Sequence, residues 1–387
     1  MNDELVQRVR SRIAEILPEV RDLRHRIHME PEIGLETSET AGKIRESIAE
    51  TSAKVWRPLI GSDVVCELKG TGDRTVCLRS DMDALPMAEE NSFSHVSKRY
   101  GAMHSCGHDG HVSMLVGAIK VLDSMKEELT SSVRFVFQPG EEVIAAGKAL
   151  VDLGALDGCD SAYAIHGWSG LPANSISTQA GLMMAAGSMF EITIVGKGCH
   201  GAMPEEGVSP IPVAAQIVDE LARLHERMHE ENRAVISVCS VQAGTNSNVI
   251  PERAVIKGTS RYFTRAVGSK IEEEIYTIGN EVCKAGRTGM HIEYDNSYNI
   301  PVINTDRGYT LVRNLAQAYL PMGDWIEGEK VHMGNEDFAY YLQDREGALI
   351  YLGLGESWQR LHSPMFDFND DVLATGILMH CLIALGS

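Results

Sequence analysis

At 387 residues, with 44% hydrophobic and 23% charged side chains, the chain is too long for one ordinary core and reads as a folded two-domain protein, not a disordered one. Its 35 basic and 54 acidic side chains leave a formal charge of −19, which argues against nucleic acid and anionic membrane as partners. The 8 cysteines show no recurring paired spacing, and neither an apolar signal core near Met1–Arg12 nor a bilayer-length apolar run is visible, so the expectation is reduced thiols in a cytoplasmic enzyme.

In chain order, Leu5, Val6, Val9, Ile13, Ile16 and Leu17 recur at helical spacing, and Pro18 is expected to end or kink that helix. Strand-like runs follow at 64–68, 75–79, 133–137 and 162–165, with a helix expected over about 111–126. Strands alternating with helices predict an α/β layer architecture with a mixed, largely parallel sheet flanked by helices. From about Met183 the pattern changes to strand, helix, two strands, helix and strand, ending near Tyr294. That order predicts a small inserted α+β domain over 183–296. The chain then returns to the first domain, 1–182 and 297–387, with a helix near 309–319, a strand at 348–354 and a last helix from Asp371.

The chemically rich residues fall just after three of the strands. Asp81 and Asp83 follow one, Glu141 and Glu142 a second, and His166 a third. In open α/β sheets, sites gather beyond the carboxyl ends of the strands. Between the strands stands His104-Ser105-Cys106-Gly107-His108-Asp109-Gly110-His111, which sets a thiol, three imidazoles and a carboxylate in one short stretch. Thiolate and imidazole hold zinc-like divalent ions, and glycine lets Cys106 and His108 converge where the backbone turns tightly. A lone Cys or His is more often core packing. His104 and His111 are weaker candidates, either of which can be an ordinary satisfied polar residue.

Glu141-Glu142 differs from the acidic pairs Glu89-Glu90 and Glu205-Glu206 in following an apolar strand, where two charges are otherwise costly. Adjacent side chains point different ways, so Glu142 can bind metal while Glu141 faces an attacking water as general base. With Cys106, His108 and Glu142, the histidines His166 and His362 complete five candidate ligands, enough for two ions if one group bridges them.

These segments, together with Arg79-Ser80-Asp81-Met82-Asp83-Ala84-Leu85-Pro86, Phe137-Gln138-Pro139-Gly140-Glu141-Glu142 and Asn248-Val249-Ile250-Pro251, resemble the M20 metallopeptidase family, most closely its amidohydrolase branch acting on N-acyl amino acids. The resemblance runs in order from about His28 to His362. It implies a zinc-exopeptidase-like catalytic domain with a ferredoxin-like inserted domain serving as lid and dimerisation surface. It also implies two divalent ions per subunit (Zn, Mn, Co or Ni) on Cys106, His108, Glu142, His166 and His362, and Glu141 as the base. Asp83 is then the carboxylate orienting a ligand. His200 from the lid serves the oxyanion, often in the partner subunit's site, while Asn248 and Arg261 contact the scissile carbonyl or the substrate carboxylate.

Two departures stand out. The family writes Gly-Gly-His-Ala-Ala where this chain has Gly198-Cys199-His200-Gly201-Ala202, and Pro204-Glu205-Glu206 replaces a common Pro-His. Glu205 and Glu206 read as an exposed turn, with a preference for basic substrates as the alternative. Met333-Gly334-Asn335-Glu336-Asp337-Phe338 resembles a further family segment and is explained by helix capping. The expected function is hydrolysis of N-acyl amino acids by a homodimer or higher homo-oligomer. The rivals are a dipeptidase or carboxypeptidase with the same machinery, and a non-catalytic metal-binding scaffold.

Overall fold

The computed structural model describes residues 2–328 and 331–387. The chain separates into two compact units, one of Met1–Met183, Ile303–Lys330 and Asp337–Ser387, the other of Met184–Val302 and Val331–Glu336. The first begins with α1 (Asp3–His28), whose end is capped by Asn2 accepting from the Leu5 amide at 2.9 Å. The helix does not stop at Pro18, because the buried stripe that starts at Val6 and Val9 continues through Val20, Leu23 and Ile27. Proline withholds one ladder hydrogen bond and costs about 3 kcal/mol, less than the burial of three further large apolar side chains returns. Next come α2 (Ser38–Ile48), β1 (Lys54–Val55), β2 (Val64–Leu68) and β3 (Thr75–Asp81). They are followed by α3 (His108–Asp123), β4 (Ser132–Gln138), α4 (Glu141–Ile144), α5 (Gly147–Asp152), β5 (Ser161–Ser169), β6 (Ile176–Thr178) and β7 (Gly181–Met184).

The second unit contains β8 (Ala186–Val195), β9 (Cys199–His200), α6 (Pro210–Asn232), β10 (Val235–Ala243), β11 (Val249–Ile250), β12 (Arg253–Tyr262), α7 (Arg265–Ala285) and β13 (Gly289–Tyr298). Its main sheet has the order β10-β12-β8-β13, all neighbours antiparallel. This is the ferredoxin-like arrangement of two strand–helix–strand halves. Strand residues alternate between a core containing Phe190, Ile192, Ile194, Ala254 and Ile256 and an open face. Helices α6 and α7 supply Ile217, Leu221, Leu224, Ile271 and Ile275 to that core.

The chain then forms β14 (Val302–Asn304), α8 (Asp306–Tyr319), β15 (Trp325–Glu327), β16 (Glu346–Gly355) and α9 (Leu373–Gly386). The first unit's sheet has the order β1-β2-β4-β3-β5-β16-β6-β15. Its centre, β4-β3-β5-β16, is parallel, while β1, β2 and β6 run antiparallel to their inner neighbours. Central strands buried on both faces read as continuous apolar runs. β5 extends to Ser169 rather than ending at Ile165, since β16 pairs with it from Ser161 to Ser169 and places His166 opposite Tyr351. α3 and α9 are buried along almost their whole length in the same apolar cluster as α1. Among the described residues, no helix is long and apolar enough to cross a membrane. β3, β4 and β5 being parallel, their carboxyl ends share one edge of the sheet.

Candidate metal centre

Three short connections at that edge carry the reactive side chains. After β4, Gly140 takes φ 71°, where a Cβ would lie 3.1 Å from Ile144 and 3.2 Å from Ala146, and α4 starts at once with Glu141 and Glu142. At the start of α3, Gly107 takes φ 84°, and a Cβ there would lie 3.0 Å from Phe368. Glycine in the left-handed region therefore turns Cys106 and His108 toward the same space. His362 adopts φ 62°, unusual for a residue with a side chain, and its amide donates to the Ser105 carbonyl at 2.8 Å. Non-glycine strain of this kind concentrates at functional positions.

Each buried imidazole of the set has one nitrogen tied to the backbone. His108 Nδ1 donates to the Asp83 carbonyl at 2.8 Å, and His166 Nδ1 to the Gly167 carbonyl at 2.8 Å. In the neutral ring that fixes the tautomer and turns Nε2 toward the other donors. His166 Nε2 lies 3.4 Å from Cys106 Sγ, and His108 Nε2 lies 3.9 Å from Glu142 Oε1. His362 Nε2, on a largely exposed ring, lies 3.4 Å from the same Glu142 oxygen. One atom each from Cys106, His108 and Glu142 falls within 4.8 Å of the others. The structure thus brings together all five side chains singled out in the sequence.

Among the described residues, His108 Nε2 and Glu142 Oε1 are buried without a hydrogen-bond partner. Leaving such groups unpaired costs about 1–3 kcal/mol each. Electrostatics point the same way. Burial, and after it Glu142, Glu141 and Asp81, pushes the Cys106 thiol well above its usual range. Burial would lower His108, but Asp81, Asp83 and Glu142 outweigh it and raise the ring to about 10. Burial and then His111 push His166 well below the usual imidazole range. Carboxylates and a thiol crowd one another here, with lone pairs directed inward. A divalent cation fits that donor set, because it neutralises the charge, takes the orphaned lone pairs and turns the thiol into thiolate.

Behind the donors is a frame that sequence reasoning saw only in part. The Asp83 carboxylate accepts the amides of Glu141 at 3.0 Å and Glu142 at 3.2 Å, so it fixes the start of α4, while it is the Asp83 carbonyl that holds His108. Asp81 accepts from His111 Nδ1 at 2.7 Å and from Arg79 at 2.7 Å. His111 Nε2 in turn accepts the Gly167 amide at 2.8 Å, which leaves that ring no lone pair for a metal. Burial would raise Asp81, yet His108, His111 and Arg79 hold it well below the usual carboxylate range. Arg79 also donates to Asp337 at 2.8 Å, and Asp337 accepts from Gln138 at 2.6 Å and the Gly147 amide at 2.8 Å. Asp337 is therefore a buried anchor under β3, β4 and α5 rather than a helix-end charge. A carboxylate following Met-Gly-Asn-Glu, with Arg79 buried mid-strand, was the available clue. His104 is also buried without a hydrogen-bond partner, but burial lowers it to about 3, and it joins no metal-capable group among the described residues.

The other three predicted site residues lie in the second unit. His200 pairs across β9 and β11 with Val249, next to Asn248, whose carbonyl accepts the Gly201 amide at 2.8 Å. His200 and Asn248 are both exposed. His200 Nδ1 accepts the Ala202 amide at 3.0 Å, so Nε2 carries the proton and is a donor. Arg261 is half-buried opposite Gly187, where a Cβ would lie 2.8 Å from its guanidinium. It donates to Thr259 and, at 2.9 Å, to the Ser260 carbonyl, and it forms no ion pair among the described residues. Cys199 packs against Gly207, where a Cβ would lie 2.4 Å from Sγ, and Glu205 and Glu206 are exposed on a short turn.

A parallel-centred α/β sheet with a Cys/His/Glu donor set at its carboxyl edge defines the class, a metal-dependent hydrolase. The family is equally plain. The chain belongs to peptidase family M20/M25/M40, whose model matches residues 77–385. It is 32% identical to N-acetylcysteine deacetylase of Bacillus subtilis, over 91% of this chain and 92% of that protein. It is 30% identical to thermostable carboxypeptidase 2 of Saccharolobus solfataricus, over 99% of this chain and 98% of that one. A dinuclear metal-binding M20 peptidase of Bacillus subtilis superposes with a TM-score of 0.81 at 28% identity, covering 96% of this chain and 98% of the other.

Proposed function

We propose that the protein hydrolyses the amide bond of N-acyl amino acids, releasing a carboxylate and a free amino acid, with two divalent ions held by Cys106, His108, Glu142, His166 and His362. The observation that carries this reading is the pair of buried donors without a partner among the described residues, His108 Nε2 and Glu142 Oε1, beside a thiol that burial and then the surrounding carboxylates disfavour as an anion. The ions would supply Lewis acidity at the carbonyl and a lowered water pKa. Glu141, set at the start of α4 by the Asp83 carboxylate, takes the proton of the attacking water and delivers it to the departing amine. His200, with Nε2–H as donor, stabilises the oxyanion together with Asn248. The Arg261 guanidinium, which forms no ion pair among the described residues, binds the two oxygens of the amino-acid carboxylate. The second unit acts as lid and as the surface of a homodimer.

Glu141→Gln in the metal-loaded protein is expected to lower kcat by about 10²–10⁴-fold on N-acyl amino acids with the ion content unchanged. Full activity of that variant would remove Glu141 from the mechanism. The similarity to a carboxypeptidase supports a second reading, exopeptidase action on small peptides. Dipeptides cleaved faster than N-acetyl or N-benzoyl amino acids would select it. A wild type that retains metal but hydrolyses nothing across both panels would favour the scaffold reading.

A further inference from the structure

Two of the buried cysteines lie together toward the amino end of β3, whereas the donor set gathers at the carboxyl edge. In β3, Val76 and Leu78 enter the apolar cluster shared with α1 and α3, so Cys77 between them faces the other side of the strand. Arg134 of β4 stands opposite Cys77 in the strand register. Its guanidinium donates to the Ala155 carbonyl at 3.2 Å and the Asp157 carbonyl at 2.6 Å, and Arg345 donates to the Leu156 carbonyl at 3.3 Å. The turn that leads into Cys159 is thereby laid over Cys77. Asp160, the next residue, donates its amide to the Thr75 carbonyl at 2.8 Å and accepts the Thr75 amide at 2.8 Å. Cys77 is fully buried, Cys159 is 8% exposed, and the two thiols share a hydrogen bond.

A single buried cysteine is ordinary packing. Two in hydrogen-bond contact beside two guanidinium groups are a reactive arrangement. The bond from the Cys77 thiol, with Arg134 and Arg345 behind it, holds Cys159 below the usual thiol range although burial opposes it. Burial and then the Cys159 neighbour push Cys77 well above that range. One sulfur is thus the better anion, and the other keeps its proton.

We propose that Cys77 and Cys159 form a dithiol that hydrogen peroxide closes to a disulfide, with Cys159 as the attacking sulfur and Cys77 as the resolving one. The Cys159 thiolate attacks one peroxide oxygen and the O–O bond breaks. Sulfenic acid forms on Cys159, and the hydroxide that leaves takes up a proton as water. The Cys77 sulfur then bonds to the Cys159 sulfur, and the sulfenic oxygen departs as water with the Cys77 proton. Two thiols are oxidised by two electrons while one peroxide is reduced to two waters. The chain between these sulfurs carries α3, β4 and α4, and with them Cys106, His108, Glu141 and Glu142. A bridge there closes the donor-bearing segments into one loop, which stabilises the fold mainly by restricting the unfolded chain.

The test treats the metal-loaded wild type, Cys77→Ser, Cys77→Ala and Cys159→Ser with hydrogen peroxide, raised until the exposed Cys239 is oxidised. Products are mapped by non-reducing peptide mass spectrometry, with dimedone in a parallel sample to trap sulfenic acid. The wild type is expected to yield a peptide linking Cys77 to Cys159, two hydrogens lighter than its separate parts and split by dithiothreitol. Closure raises Tm by about 5 °C with the ion content unchanged, a shift absent from all three variants. Dimedone labels Cys159 in Cys77→Ser and Cys77→Ala, and labels Cys77 in Cys159→Ser at about a tenth of that yield or less. If Cys239 is oxidised and no linked peptide forms in the wild type, the dithiol assignment is wrong. Labelling of Cys77 equal to that of Cys159 would overturn the division of roles. A Tm that falls on closure would show a strained bridge and overturn its stabilising effect.

Discussion

Two histidine clusters lie back to back in the first unit and use the same residue type in opposite ways. His108 faces the donor set, and its neighbour Asp109 faces a cluster built on α1. There Arg24, fully buried, donates from Nε to Asp109 at 2.7 Å, contacts His95 Nε2 at 2.9 Å and pairs with Asp367. His28 Nδ1 meets Asp109 at 2.8 Å and its Nε2 meets Glu89 at 3.1 Å. Arg24 and His28 spend every nitrogen on partners within the cluster, whereas His108 Nε2 and Glu142 Oε1 have no hydrogen-bond partner among the described residues. Buried with partners, Arg24 and His28 build structure; buried without them and grouped with the Cys106 thiol, His108 Nε2 and Glu142 Oε1 suit a ligand.

The largest expected difference follows from that contrast. His108→Ala should abolish hydrolysis and lower the ion content, as read by metal analysis of the purified protein, while leaving a cooperatively folded chain. Arg24→Ala should do the reverse. It leaves the buried Asp109 with His28 as its remaining cationic partner and takes the guanidinium from the partly exposed Asp367, a change that costs about 3–5 kcal/mol in urea unfolding. The fraction that remains folded should still carry its metal. If Arg24→Ala lost the ions and kept its stability, the two clusters would be one functional network and the contrast would be false.

The fold was legible where periodicity and burial agree. The predicted order of strand, helix, two strands, helix and strand appears in the second unit as β8, α6, β10, β12, α7 and β13. It was illegible where a long-range partner decides the outcome. Pro18 is a stop signal locally, but the core that α1 shares with α3 and α9 lies far off in sequence. His166 reads as a residue after a strand until β16, almost two hundred positions later, pairs alongside it. Cys106, His108 and Glu142 were visible as residue types in motifs, since their chemistry is carried by a few adjacent residues, whereas His166 and His362 are lone histidines that draw notice only beside those three. The frame under them was less so. Asp337 belongs to the site through Arg79 and Gln138, and no local pattern links those three positions.

A smaller effect separates the clusters by pH. Burial would lower His28, but Asp109 and Glu89 overcome it and raise the ring from 6.5 to about 9. A folded value above the unfolded one means the protonated ring stabilises the fold. That contribution is whole below about pH 6.5 and disappears as the pH climbs through about 9. The difference amounts to roughly 3 kcal/mol of unfolding free energy, so stability in urea should decline across this window. His28→Gln should begin less stable at pH 6 and show a flatter profile. An equally steep decline in that variant would place the pH-sensitive group elsewhere.

The smallest effect tests how the donor side of the contrast is built. Gly107 separates Cys106 from His108 at φ 84°, and an added Cβ would press on Phe368 at 3.0 Å. Gly107→Ala therefore carries the left-handed penalty of an L-residue, about 1–2 kcal/mol, before any contact with Phe368 is counted. The backbone can relieve it only by rotating toward negative φ, which swings Cys106 and His108 apart. Ion affinity should then fall by more than the loss of stability accounts for, and competition with a chelator measures it separately from urea unfolding. At Gly101, also at positive φ but with nothing within 4 Å of an added Cβ, alanine carries the same backbone penalty without touching the donors. Gly101→Ala should therefore lose stability and leave the chelator competition unchanged. Equal losses of ion affinity at the two glycines would show that the turn at Gly107 aligns no ligands.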